Sequence, residues 1–359
     1  MTIPTNYKEF LSILELNNEL LRISSLVDWK YEIGSITRAQ IFSESKSKAL
    51  LFENIKDYNT AKVLTNVFGS VSRIALSLGM DINSSIDGIA EQLIHRTQSP
   101  QEPIFTDYSP VYSNVYLNGN IDLYTLPIPW WNPEDVDRYI GTWHINITKE
   151  LNSGNRNIGC YRMQLAGKNE IYLSVSPKSD LMSHLHIAEK KDLPLEMAVA
   201  IGVAEPLVIA AGGGFKYGID EYKIAGGLLK SPVKLVKCKT VDVEVPAESE
   251  IIIEGKIIPN KRVKEGPFLD YAGVPSINPK GLVFRVSCLA HKQAPIFRGA
   301  CVGYPGAEDH LLYALVAQMG VFDFHSSKCK KIIQCLLLKR HFFRAFQITG
   351  KIRRMFRFF

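Results

Sequence analysis

The sequence predicts an α+β protein. Helical and strand patterns alternate over roughly the first 110 residues, short strands of similar length dominate from Thr142 onward, and neither part contains an internal repeat or low-complexity stretch. Its 359 residues, 46% hydrophobic and 22% charged, suffice for two or three domains with a sizeable core.

Asn6 followed by Glu9 is a capping box ahead of the helically spaced Phe10, Ile13 and Leu14. Leu20–Ile23 reads as a strand, Tyr31–Ile41 as a second helix, Ala49–Ile55 as a strand and Arg73–Leu78 as another helix. Residues 1–110 thus form a small α/β domain. The stretch Leu126-Pro127-Ile128-Pro129-Trp130-Trp131-Asn132-Pro133 is irregular and is expected to cross over or border a pocket; its tryptophans suit a flat apolar ligand or an ordinary core. Tyr161–Leu165 and Ile171–Val175 alternate around Gly167-Lys168-Asn169, a hairpin signal. Further strands are expected at Met197–Ile201, Val233–Cys238, Val241–Val245, Glu250–Ile253, Val283–Ala290 and Pro295–Ala300, a set that suggests a barrel. Helices interrupt them at Asp180–Lys190 and Asp220–Leu229, with Asp220 as N-cap.

The net charge of +6 is unevenly spread. Residues 316–359 hold ten Lys/Arg against one acid, Asp323, or +9; the remainder carries 32 bases and 35 acids, or −3. Segments such as Lys339-Arg340-His341-Phe342-Phe343-Arg344 and Lys351-Ile352-Arg353-Arg354 could touch a membrane surface or nucleic acid by charge. The favoured reading is a helix that packs Cys335, Leu338, Phe342 and Phe346 on a partner and leaves its bases in water. Six cysteines without a C-x-x-C pair, and an N-terminus without a secretory pattern, imply free thiols in a reducing, cytoplasmic setting. No apolar run approaches the ~18–20 residues that span a bilayer.

Four segments carry candidate chemistry. Glu265-Gly266-Pro267-Phe268-Leu269-Asp270 sets two carboxylates five residues apart across a stiff corner, between the strand-like Ile251–Ile253 and the loop Tyr271–Pro279. Taken alone, that segment reads better as a solvated surface turn, because charged residues beside Gly-Pro are common in loops. Strand parity places Arg162 and Gln164 on one face of their hairpin, where a guanidinium offers a fork for a carboxylate or phosphate, or simply faces solvent. Asn157 joins that face only if the chain bends at Gly159. Ala211-Gly212-Gly213-Gly214 could let backbone N–H groups approach a phosphate, and Glu221 sits in the first turn of a helix, where the dipole alone accounts for an acid.

Together, Asn157-Ile158-Gly159-Cys160-Tyr161-Arg162, Glu221 within Ile219-Asp220-Glu221-Tyr222, and Glu265 through Asp270 resemble the UbiD-like decarboxylases, which use prenylated FMN. The resemblance runs from about residue 8 to about residue 315 and takes in Ala49-Leu50-Leu51-Phe52-Glu53-Asn54, Leu126-Pro127-Ile128-Pro129, Ala225-Gly226, Glu248-Ser249-Glu250-Ile251 and Ala307-Glu308-Asp309-His310. It implies an N-terminal α/β domain at 1–110, a central split β-barrel that binds flavin at 111–315, and, in place of the family's C-terminal dimerisation domain, a short basic helical tail at 316–359.

The implied activity is the reversible, non-oxidative decarboxylation of an aromatic or α,β-unsaturated acid, such as a hydroxybenzoate, a polyprenyl-hydroxybenzoate or an isoprenoid acid. Arg162, Glu265 and Asp270 would be catalytic, with Arg162 orienting the substrate carboxylate, Glu265 holding the arginine and Asp270 returning a proton to carbon. Asn157 and Glu221 would bind a divalent metal, usually manganese, with potassium as a further candidate ion. Asn157, Arg162, Gln164, Glu221 and the loop Ala211, Gly212, Gly213 would contact the cofactor. Implied partners are a small-molecule carboxylic acid, a flavin prenyltransferase as cofactor supplier and a second copy of the chain, with no nucleic acid.

Three departures from the family pattern stand out. The family's histidine metal ligand would fall near Pro177-Lys178, where there is none; His184 and His186 come later and read as residues of a helix, and Lys178 could pair with phosphate instead. Leu269 and Tyr271 add bulk beside Asp270, and the tail replaces a domain. Two further readings remain: a flavin- or phosphate-binding barrel without decarboxylation, and a peripheral membrane or nucleic-acid protein recruited by the tail.

Overall fold

The computed structural model describes residues 2–43, 47–140, 143–303 and 306–323. The expected basic tail therefore lies, from residue 324 onward, outside the described residues.

Asn6 caps the helix Tyr7–Leu16, its side chain accepting from the Glu9 N–H, while the Glu9 carboxylate reaches back to the Thr5 N–H at 2.8 Å. The helix buries Tyr7, Phe10, Leu11 and Leu14. The first sheet orders its strands Leu20–Ile23, Ala49–Phe52, Lys62–Thr65 and Ile296–Arg298. Ala49–Phe52 is buried at all four positions, as a strand covered on both faces must be.

The fourth strand corrects the sequence reading. The run at Pro295–Ala300 was expected to join the barrel, but Ile296–Arg298 pairs in parallel with Lys62–Leu64 in the first sheet. Alternation identifies a strand without naming its neighbour. A buried ion cluster helps to fix this one: the Arg298 guanidinium lies 2.7 Å from Glu308 and 3.3 Å from Glu205, and Tyr7 donates to Glu205. The strand Lys62–Thr65 and the Ser85-capped helix Ile86–Thr97 had no counterpart in the expected elements.

The large sheet orders Arg156–Gly159, Ile145–Lys149, Leu195–Ile201, Ile251–Leu269, Pro275–His291, Glu170–Ser174 and Arg162–Leu165, with Asn114–Leu117 beside Pro275–His291. This path is open, so the barrel expected from strand count is not a closed ring of ladders. Its two end strands follow each other in sequence, with Cys160 and Tyr161 between them, yet do not pair. Side chains act where a ladder is missing. Ile251–Ile257 pairs on both sides, whereas residues 262–269 pair only with the strand Pro275–His291. There the Gly266 N–H donates to Gln164 Oε1 at 2.9 Å.

The Glu265–Leu269 segment is thus part of a 19-residue strand, and Glu265 is fully buried; the surface-turn reading does not hold. Gly266 has φ +96°, and a Cβ on it would stand 2.6 Å from the Ser276 carbonyl, so only glycine fits. The loop expected at Tyr271–Pro279 is shorter, since pairing resumes at Pro275, which faces Leu269. No helix among the described residues is long and apolar enough to cross a membrane. Cys160, Cys238, Cys288 and Cys301 are free thiols.

Candidate active site

Three strands converge on one guanidinium. Arg162 opens the strand Arg162–Leu165, directly opposite Ser174, and its side chain reaches the far half of Ile251–Leu269. Its Nε and Nη2 donate to Glu265 at 3.0 and 2.7 Å, a bidentate fork of the kind planar guanidinium chemistry favours. Its Nη1 donates to Asp270 at 3.0 Å and to Ser276 Oγ at 2.5 Å, and that hydroxyl in turn donates to Asp270 at 2.9 Å. Arg162 therefore pairs with both acids, where the division of tasks read from sequence gave it Glu265 alone.

The two carboxylates differ in surroundings. Glu265 is fully buried and also accepts from the Tyr139 hydroxyl at 2.8 Å; Asp270 has a side chain 31% exposed and accepts from the Tyr271 N–H at 2.7 Å. The Phe268 ring lies against Tyr139, with centroids 4.3 Å apart, and sits 5.2 Å from the Arg162 guanidinium carbon. These groups border a cavity of about 380 Å³ whose wall includes Arg162, Asp270, Phe268, Tyr271, Tyr313 and Asp309. Of the bulky neighbours flagged in sequence, Tyr271 lines this space, while Leu269 is buried, its N–H donating to Asp135. Burial pushes the Asp135 carboxyl up to about 6. Trp131 is a core residue bonded to the Tyr139 carbonyl, and the cavity wall includes neither it nor Trp130.

A second cluster forms on the other end strand of the ladder. Asn157 lies on Arg156–Gly159, and Glu221 starts the helix Glu221–Leu229, whose N-cap Asp220 pairs with Arg156 at 2.6 Å. Glu221 turns toward the strand and accepts from the Ile158 N–H at 3.0 Å. It is 5% exposed, and its carboxyl is pushed up to about 8, first by burial and then by the nearby acids Asp180 and Asp220. A buried acid in acidic company suits a cation. Asn157 donates its amide hydrogen toward Thr148 Oγ1 at 3.4 Å, and Thr148 in turn meets His184 Nδ1 at 3.0 Å. His184 is buried in the helix Asp180–Glu189 and His186 is exposed on it, so both are helix residues as expected. Among the described residues no three His, Cys, Asp or Glu side chains form a metal cluster. The available set is therefore an amide, Glu221 and, close by, Asp180, which sequence reading passed over because it served as a helix start.

Other sequence candidates are placed differently. Gln164 supports the Gly266 N–H. Ala211 ends the helix Glu205–Ala211, and the Gly212 and Gly213 N–H groups are committed to the Val208 and Ala210 carbonyls, a helix C-terminal arrangement. Lys178 is exposed.

Residues 105–305 match the 3-octaprenyl-4-hydroxybenzoate carboxy-lyase Rift-related domain, and residues 11–93 match the N-terminal domain of the same carboxy-lyase. The chain belongs to this family, the UbiD carboxy-lyases. Among its relatives, a phenolic acid decarboxylase of Bacillus subtilis is 30% identical over 308 residues, which cover 84% of this chain and 65% of the relative. The chain thus spans just under two thirds of that protein. Among solved structures, the vanillic acid decarboxylase of Sedimentibacter hydroxybenzoicus in its closed form superposes with a TM-score of 0.84 at 29% identity, covering 88% of this chain and 68% of the other. An evolved dimeric form of the UbiD-class enzyme HmfF from Pelotomaculum thermopropionicum, in complex with prFMN, gives a TM-score of 0.81 at 31% identity over 89% and 72%.

Proposed function

We propose that this chain is a carboxy-lyase that releases CO2 from a small aromatic acid with the help of a prenylated flavin. The observation that carries the reading is the Arg162 guanidinium, shared between buried Glu265 and half-open Asp270 on the wall of an aromatic-lined cavity. Relatives named for phenolic and vanillic acid support an aromatic substrate. A cavity of about 380 Å³ suits a compact acid better than one bearing a long polyprenyl chain.

The prenylated flavin, when bound, supplies the electron sink that decarboxylation needs. The protein's own groups handle charge and proton. Glu265 keeps two guanidinium N–H groups engaged and so fixes the plane of the fork. The substrate carboxylate competes with Asp270 for Nη1. Asp270 is open enough to exchange a proton with water. When the bond from ring carbon to carboxylate breaks, CO2 departs and the electron pair left on carbon takes the Asp270 proton. The balance is one carboxylate and one proton giving CO2 and a C–H bond.

Asn157 and Glu221 would hold a divalent cation, manganese in this reading, with Asp180 as the nearest additional carboxylate. The cation would neutralise the acids and anchor the flavin phosphate. Metal analysis of the purified protein is expected to find stoichiometric manganese, and Glu221→Gln should lose most of it. Metal-free protein that binds flavin and releases it in Lys178→Ala would favour a lysine contact instead.

The whole reading is tested by co-expression with a flavin prenyltransferase, an absorption spectrum, and CO2 release from a panel of hydroxybenzoic and acrylic acids. Bound flavin with turnover of an aromatic acid is the expected result. Bound flavin with no CO2 from any acid would reduce the protein to a flavin-binding fold.

A further inference from the structure

Asp309 is a charged wall residue of the cavity to which the mechanism gives no task. It lies in the first turn of the helix Glu308–Asp323, with a side chain only 3% exposed. Its neighbour Glu308 has a full complement of structural partners: it accepts from the Asn66 and Phe68 N–H groups and pairs with Arg298. Asp309 has none of these. Neither carboxylate oxygen has a hydrogen-bond partner among the described residues, and the nearest group able to carry positive charge is His310 Nδ1 at 3.3 Å. Leaving a carboxylate buried without donors costs stability, by an amount comparable to several ordinary hydrogen bonds. The position in the first turn of the helix offsets part of that cost, and a carboxylate oxygen accepts hydrogen bonds.

The surroundings say what it could accept from. Tyr313, one turn along the same helix and half exposed, also lines the cavity and lies near both acids. Tyr271 faces Tyr313 with ring centroids 6.3 Å apart, so this side of the cavity is aromatic. Arg162 and Asp270 border the same cavity and supply its carboxylate-binding chemistry. Asp309 and Arg162 thus face one cavity, where a small ring can bridge them.

We propose that Asp309 is a specificity-determining acceptor that selects acids carrying a hydroxyl on the ring, with the ring carboxylate at Arg162 and the hydroxyl donating to Asp309. This rests on the decarboxylase reading above and names the substrate feature that the site requires. A site built to satisfy a hydroxyl rejects the analogue lacking it, because its own acceptor is then left unpaired.

The test is calorimetric binding of benzoate, 3-hydroxybenzoate and 4-hydroxybenzoate to the flavin-loaded full chain, to Asp309→Asn and to Asp309→Ala, with unfolding midpoints measured alongside. Wild-type protein is expected to prefer one hydroxylated acid over benzoate by about tenfold or more. Asp309→Ala should bring the ratio near one while binding benzoate at least as tightly as wild type does. Neither variant should unfold earlier, since a buried unpaired carboxylate has been removed. A preserved ratio in both variants would overturn the proposal, as would equal wild-type binding of all three acids. A lower midpoint with an unchanged ratio would assign Asp309 a purely structural role and overturn it too. Failure of every acid to bind wild-type protein would overturn the decarboxylase reading along with it.

Discussion

Asp270→Asn is expected to lower CO2 release by about 10²- to 10⁴-fold, the usual weight of a positioned proton donor, while the purified protein keeps its flavin. The substitution is nearly isosteric. Ser276 can still donate to the side-chain oxygen, and the Arg162–Glu265 fork is untouched, so the cavity wall should stand as it does. The loss should fall on turnover, because the amide occupies the same volume but cannot return a proton to carbon; substrate affinity should hold or tighten, since a neutral amide competes less for Arg162 Nη1. Steady-state kinetics with the flavin absorbance recorded on the same sample provides the check. Flavin lost together with activity would make Asp270 a cofactor-site residue and sink the assigned task.

Glu265→Ala should act on both fold and activity. Glu265 is fully buried, accepts from Arg162 through two nitrogens and from Tyr139, and lies opposite Asn278 in the long strand pair. Removing it leaves a largely buried guanidinium with one carboxylate in place of two, along with an unpaired tyrosine hydroxyl. Breaking a buried pair costs about 3–5 kcal/mol, and the lower end applies here because Asp270 stays on Nη1. The unfolding midpoint should fall by several degrees. Arg162, freed to follow Asp270, should orient the substrate poorly and lower turnover as well. Glu265→Gln, which keeps the shape and one acceptor, should recover much of the stability and little of the activity. A midpoint unchanged in Glu265→Ala would show that the ion pair contributes little to the fold.

How far these residues were legible in the sequence varied with the kind of information each required. Local chemistry read well: Asn6 and Asp220 cap the helices expected of them, and the hairpin around Gly167-Lys168-Asn169 pairs Leu165 with Ile171. Asn157 and Arg162 were harder. Parity set them on opposite faces, and a bend at Gly159 was the imagined remedy. In the structure one strand ends at Gly159 and the next begins at Arg162, so the chain does break where the bend was expected, and the two residues stand on the two end strands of the ladder. Asp309 could not have been singled out, because an acid in the first turn of a helix is ordinary until its lack of partners is known.

By itself the sequence determined the alternation of helices and strands, the caps, the uneven charge and, through the order of its motifs, the likeness to a decarboxylase family. These depend on neighbours along the chain, where spacing and side-chain type set backbone preference and pattern. Only the tertiary structure decided that Ile296–Arg298 joins the first sheet, that the large sheet stays open, and that Arg162 grips both Glu265 and Asp270. Those outcomes depend on which distant surfaces meet. An alternating strand satisfies its own pattern against many partners, and the choice among them rests on buried charges and packing contributed by residues far away in the chain.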